Sequence, residues 1–111
     1  LVHQHGDLLL RMRRFDEAAE YLEAQVRRHR GDSNLWRMLS EARFGAGQPV
    51  AARRAVAEHY ALDGGLLAAI EQLRIAQREA GGDFYVGSQI DARLRELQAR
   101  YTREREAFGP Q

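Results

Sequence analysis

Cysteine is absent from this chain of 111 residues. Disulfides and cysteine-based metal sites are therefore excluded, and the redox compartment is left open. Lysine is absent as well, so all 17 basic residues are arginine. Against 16 acidic residues they leave a net charge of +1. There is no clustered basic excess, which argues against a nucleic-acid or membrane-surface footprint. Only two prolines interrupt the chain. No apolar run reaches the roughly 18 residues that a membrane-spanning helix needs. The chain opens on Leu1-Val2-His3, without a methionine or a signal-peptide core. That opening reads as the middle of a helix, so the expectation is a piece of a longer protein.

Catalytic signatures are equally scarce. The histidines are His3, His5, His29 and His59, and none forms the His-Glu-x-x-His that points two imidazoles at one zinc. His3 and His5 are two positions apart, about 200° around a helix, which is the wrong spacing for a shared metal. The glycine pairs lack the lysine and preceding strand of a phosphate loop. Ser33, Ser40 and Ser88 have no nucleophile-elbow context. The carboxylates are scattered over polar faces, where i,i+4 ion pairs are their ordinary use. The expectation is a chain that is not itself an enzyme and carries no cofactor of its own.

What is present is a repeat. Phe15-Asp16-Glu17-Ala18-Ala19-Glu20-Tyr21-Leu22 recurs in type at Pro49 to Val56 and again at Leu66 to Leu73. The small anchors are Ala18, Ala52 and Ala69, followed by the large Leu22, Val56 and Leu73. The first step is 34 residues and the second is 17. A period near 34 is that of paired antiparallel helices, and half of it is one helix plus a turn. The helix after Gly47 thus closes one hairpin and opens the next.

Apolar periodicity predicts helices at about Val2–Arg13, Asp16–Arg28, Asn34–Phe44, Val50–Leu62, Leu66–Glu79 and Phe84–Glu106. Asp32 or Ser33, and Asp83, stand where N-caps belong, and Pro49 suits a first turn. Turns a few residues long make successive helices antiparallel neighbours. The last helix carries Ile90, Leu94, Leu97, Tyr101 and Phe108 as a heptad-like seam. It is expected to cap the stack with one face, with pairing to a second copy through residues 84–108 as the alternative.

These anchors resemble the tetratricopeptide repeat family. Trp36, Leu39, Gly47, Ala52 and Val56 occupy its signature positions in the second repeat, and Gly6, Phe15, Ala18 and Leu22 match in the first. Ser40 and His59 depart from the small residues expected at their positions, so looser packing is expected at His59. The resemblance implies an all-α superhelix of about six antiparallel helices with a long capping helix. Its divisions would be 1–32 and 33–63 as hairpins, 64–82 as a half-repeat, 83–108 as the cap and 109–111 as a tail. It implies binding of a protein or peptide. The run from Ala57 to Leu73, with Gly82-Asp83-Phe84-Tyr85 and Gln89 to Leu97, is similar to the C-terminal repeat domain of BepA-type periplasmic metalloproteases. That likeness implies a periplasmic address, with a cytoplasmic one left open. It implies contact with outer-membrane assembly machinery or its clients, and a zinc peptidase domain outside this chain.

Carried over by register, the family's groove positions are His3, Asp7, Leu10 and Arg11, then Arg37, Glu41 and Phe44. Asp7 and Glu41 stand where carboxylate-clamping members of the family place asparagine. A negative charge there repels a peptide's C-terminal carboxylate, so capture of a free C-terminus is not expected at this face.

Overall fold

Two aspartates start helices as their spacing predicts. Asp32 accepts a hydrogen bond from the Leu35 N–H at 3.2 Å, and Asp83 accepts one from the Val86 N–H at 3.1 Å. Each satisfies one of the donors that a helix start leaves without an internal partner. Pro49 opens its helix at the first position, where a missing N–H costs nothing. Gly47 and Gly64, with φ of 76° and 86°, make the left-handed turns that follow two helices.

The computed structural model describes residues 1–108, and the expected tail at 109–111 lies outside them. The described chain is all-helical: α1 (Val2–Arg11), α2 (Phe15–Arg28), α3 (Ser33–Gly45), α4 (Pro49–Leu62), α5 (Leu66–Ala80) and α6 (Phe84–Ala107). The starts of α2 to α6 fall 18, 16, 17 and 18 residues apart, so the helices come at nearly even steps. Each helix packs on its neighbour in sequence, and α1 also touches α3. The molecule is a slab of 50 × 35 × 19 Å. Its radius of gyration is 14.8 Å, above the roughly 13 Å of a compact domain this long.

Two apolar clusters hold the slab together. The first joins α1, α2 and α3 around Leu22, Val26, Leu35 and Leu39, and takes in Ala55 of α4. The second joins α5 and α6 around Leu73, Ile90 and Leu97, and takes in Ala57 and Ala61 of α4. At about 100° per residue, Ala55 and Ala57 lie roughly 160° apart on their helix. All four buried residues of α4 are alanines. Short side chains on both sides let α4 sit close to each half.

The seam of α6 is divided. Ile90, Leu94 and Leu97 are buried in the second cluster, Tyr101 is half-buried, and Phe108 is 85% exposed. Three of its five positions are therefore spent within the chain. His59, where looser packing was expected, fills its space. Its Nδ1 lies 2.7 Å from Ser33 Oγ and 3.0 Å from the Ser33 carbonyl oxygen. The Ser33 hydroxyl donates to the His59 carbonyl oxygen at 3.2 Å. The end of α4 is thereby latched to the start of α3.

Asp32 ties this corner to α1, with its carboxylate 2.8 Å from His3 Nε2. Partial burial pulls the Asp32 carboxyl upward. The His3 hydrogen bond, the Leu35 and Asn34 N–H groups and the His3 charge outweigh that and hold it below its ordinary value of 3.8. The folded state therefore binds this proton less readily than the unfolded chain does. The stability it contributes is present above the ordinary carboxylate value and is lost as pH falls through the depressed one. Asp32→Ala is expected to cost about 1 kcal/mol at neutral pH. It should also flatten the acid limb of a stability-versus-pH curve below about pH 4. Urea titrations across pH check both.

Candidate partner-binding site

The face expected from the repeat register is largely self-paired. Asp7 and Arg11 form an i,i+4 ion pair at 2.9 Å. Arg37 donates from Nε to Asn34 Oδ1 at 2.9 Å and pairs with Glu41. His3 is engaged by Asp32, as described above. Leu10 is half-buried against the first cluster. Phe44 is 45% exposed and lies under the Arg53 guanidinium, 5.4 Å from ring centre to carbon. Arg53 is itself held by Glu79 at 2.8 Å and Gln72 at 3.0 Å. The contact of α1 with α3 brings the two sets of residues onto adjoining helices. Their charges compensate one another before any partner arrives.

A concavity lies elsewhere. A groove of about 790 Å³ crosses α2, α3, α4 and α6 over Leu73 of α5. None of the seven residues expected from the register lines it. On α3 its lining residues Trp36, Leu39 and Arg43 sit about 130° around the helix from Arg37, Glu41 and Phe44. On α4 the lining follows a single stripe, Ala51, Arg54, Ala55 and Glu58, and on α6 another, Gln89, Arg93 and Glu96. Leu39 and Leu73 form its apolar floor.

The groove walls are pinned by ion pairs between helices. Arg93 forks onto Glu58, donating from Nε and Nη2 to its two carboxylate oxygens at 2.8 Å each. The Glu58 hydrogen bond raises the Arg93 guanidinium above its ordinary value, against the opposing pull of burial. This bidentate geometry is the strong form of an Arg–carboxylate contact, and it fixes α6 against α4. Arg43 reaches Glu23 at 3.7 Å, bridging α3 to α2. The Trp36 indole N–H donates to the Arg30 carbonyl oxygen at 2.9 Å, which fixes the ring at the groove's edge.

Sequence reading placed Trp36 as a packing signature and missed this groove. The nearest signal was Arg53-Arg54 set among Ala51, Ala52 and Ala55, where two long cations interrupt an alanine-rich helix. Arg53 turns to α5 and Arg54 to the groove.

Ser33, His59 and Asp63 bring a hydroxyl, an imidazole and a carboxylate together, with His59 Nε2 3.8 Å from Asp63 Oδ2. Ser33 Oγ lies 2.7 Å from His59 Nδ1 and 3.2 Å from the His59 carbonyl oxygen, and these contacts join the start of α3 to the end of α4. Among the described residues, no group of three or more His, Asp or Glu side chains could hold a metal ion. Among the same residues no helix is long and apolar enough to cross a membrane.

Neither the models of known protein families nor the curated proteins give a match to this chain.

Proposed function

We propose that this chain is a tetratricopeptide-type domain that binds a protein or peptide and performs no chemistry of its own. The observation that carries the binding reading is the open groove of about 790 Å³. It combines a fixed tryptophan, an apolar floor and several arginines, the residue mix that concentrates binding energy at interfaces. The repeat kinship is supported by the sequence step of 34 residues, the even spacing of the helices and the tight packing at Gly6. A Cβ at Gly6 would lie 2.8 Å from Leu22 Cδ2 and 3.0 Å from Met38 Cε. That is where α1, α2 and α3 converge, and where the family keeps a small residue.

The wider reading rests on the sequence likeness between Ala57 and Leu97. In it the chain is the non-catalytic end of a periplasmic zinc metalloprotease, and its partners are outer-membrane assembly proteins or their clients. The full reading frame tests that part: an upstream segment without a zinc-peptidase motif removes the protease and leaves the binding role.

Selection of a random displayed-peptide library on the folded chain tests the binding role. Enrichment of related sequences, with saturable binding once they are made as free peptides, is the expected result. No enrichment above an unrelated helical protein would sink the reading.

Self-association is the second reading. It keeps one observation, a mostly apolar notch of about 540 Å³ lined by Leu67, Tyr101 and Phe108 among others. Light scattering over a concentration series separates the two, because a monomer at the highest concentration removes self-association.

A further inference from the structure

We propose that the groove across α2, α3, α4 and α6 holds an acidic, extended segment of a partner protein, and that Arg54 takes one of its carboxylates. The inference rests on the binding reading above and narrows it to one surface and one ligand chemistry.

The argument starts from the arginines. Six are half-buried: Arg37, Arg43, Arg53, Arg54, Arg93 and Arg100. Five have a carboxylate within ion-pair distance, namely Glu41, Glu23, Glu79, Glu58 and Glu104 in that order. Arg54 has none among the described residues. A guanidinium that has lost part of its water without gaining a counter-charge is destabilising. A ligand carboxylate removes that cost, and the guanidinium fork matches it in two parallel hydrogen bonds.

The surroundings extend the match. Five arginines and three glutamates line the groove, so it carries an excess of two positive charges in a molecule whose net charge is +1. Glu23, Glu58 and Glu96 pair with Arg27, Arg43 and Arg93 along the walls. Arg30 and Arg54 remain unpaired among the described residues, with Trp36 nearby on the same rim. This arrangement fits carboxylates spaced along a chain with an apolar side chain between them. A nucleic acid fits less well, because only Arg30 and Arg54 are left to meet a backbone that carries a charge on every nucleotide. The self-paired register face, where Asp7 and Glu41 stand, has no such surplus.

Fluorescence anisotropy tests this with a labelled peptide alternating Glu with Leu and Phe. A matched peptide carries Gln for every Glu, and a labelled oligothymidylate is the nucleic-acid probe. The acidic peptide is expected to saturate the folded chain, with affinity that falls as salt is raised. The Gln peptide and the oligothymidylate should bind at least tenfold more weakly. Arg54→Gln should weaken the acidic peptide about 30-fold, the scale of an interface hot spot. Its melting temperature should be unchanged or higher, because the native side chain has no partner to lose. Arg37→Gln should bind like the parent.

Equal binding of the Gln peptide, an unaffected Arg54→Gln variant, or a preference for oligothymidylate each overturns the proposal. So does absence of acidic-peptide binding. If the peptide selection succeeds while these fail, the binding role stands and this groove assignment falls. If the selection also fails, the binding role falls with it.

Discussion

Leu22→Ala is expected to be among the most destabilising single substitutions in the chain, costing about 3 kcal/mol. Leu22 is fully buried in the first cluster. Its Cδ2 abuts Gly6, and Met38 Cε closes on the same glycine from α3. Removing the branched end leaves a void that three helices border. Gly6, which faces the lost methyls, has no side chain to fill the space. Total stability for a domain of this size is about 5–15 kcal/mol, so the loss is a large fraction of it. Thermal unfolding should shift down by about 10–20 °C. A shift under about 3 °C would mean that α1 is not held as described.

Gly45→Ala should reverse the usual sign of its exchange. Alanine in place of glycine within a helix ordinarily gains up to about 1 kcal/mol. At Gly45, the last residue of α3, a Cβ would fall 2.3 Å from Cδ1 and Cγ of Phe15. Contacts below 3 Å force something to move, and here the obstacle is the near edge of an aromatic ring rather than a flexible tip. The clash is expected to cost about 1–3 kcal/mol, which exceeds the propensity gain. In a Phe15→Ala background the obstacle is gone, and the same Gly45→Ala change should become neutral or stabilising. That non-additivity, measured as a double-mutant cycle in urea, is the signature of a direct contact. Additive effects would show that the ring does not occupy this position.

Most of the helical plan is legible in the sequence. Every helix boundary lies within two residues of its expected place, because apolar periodicity, Asp32, Asp83 and the glycine breaks all point to the same positions. The one helix that ends early is informative. Periodicity carries α1 to Arg13, yet it stops at Arg11, and Arg13 takes a left-handed φ of 58° that sequence reading assigns to glycine. The Arg13 guanidinium rests over the Phe15 ring at 5.2 Å, a contact that accompanies the turn.

Phe108 belongs to the same heptad pattern as Ile90, yet the stack reaches only as far as Tyr101. Spacing alone does not show where a packing surface ends. The groove is the least legible feature. Its lining draws one or two residues from each of several turns between Glu23 and Glu96, and no local pattern joins them. Arg53 and Arg54 are neighbours in sequence, and only the placement of α5 and α2 around α4 sends one to an ion pair and leaves the other open.

Backbone amide chemical shifts during titration with the alternating Glu peptide test the central claim most directly. The account predicts progressive shifts concentrated at Arg27, Arg30, Trp36, Arg54 and Arg93, including the Trp36 indole N–H, with Arg37, Glu41 and Phe44 unmoved. Shifts centred on Arg37, Glu41 and Phe44, or none at any residue, would contradict it.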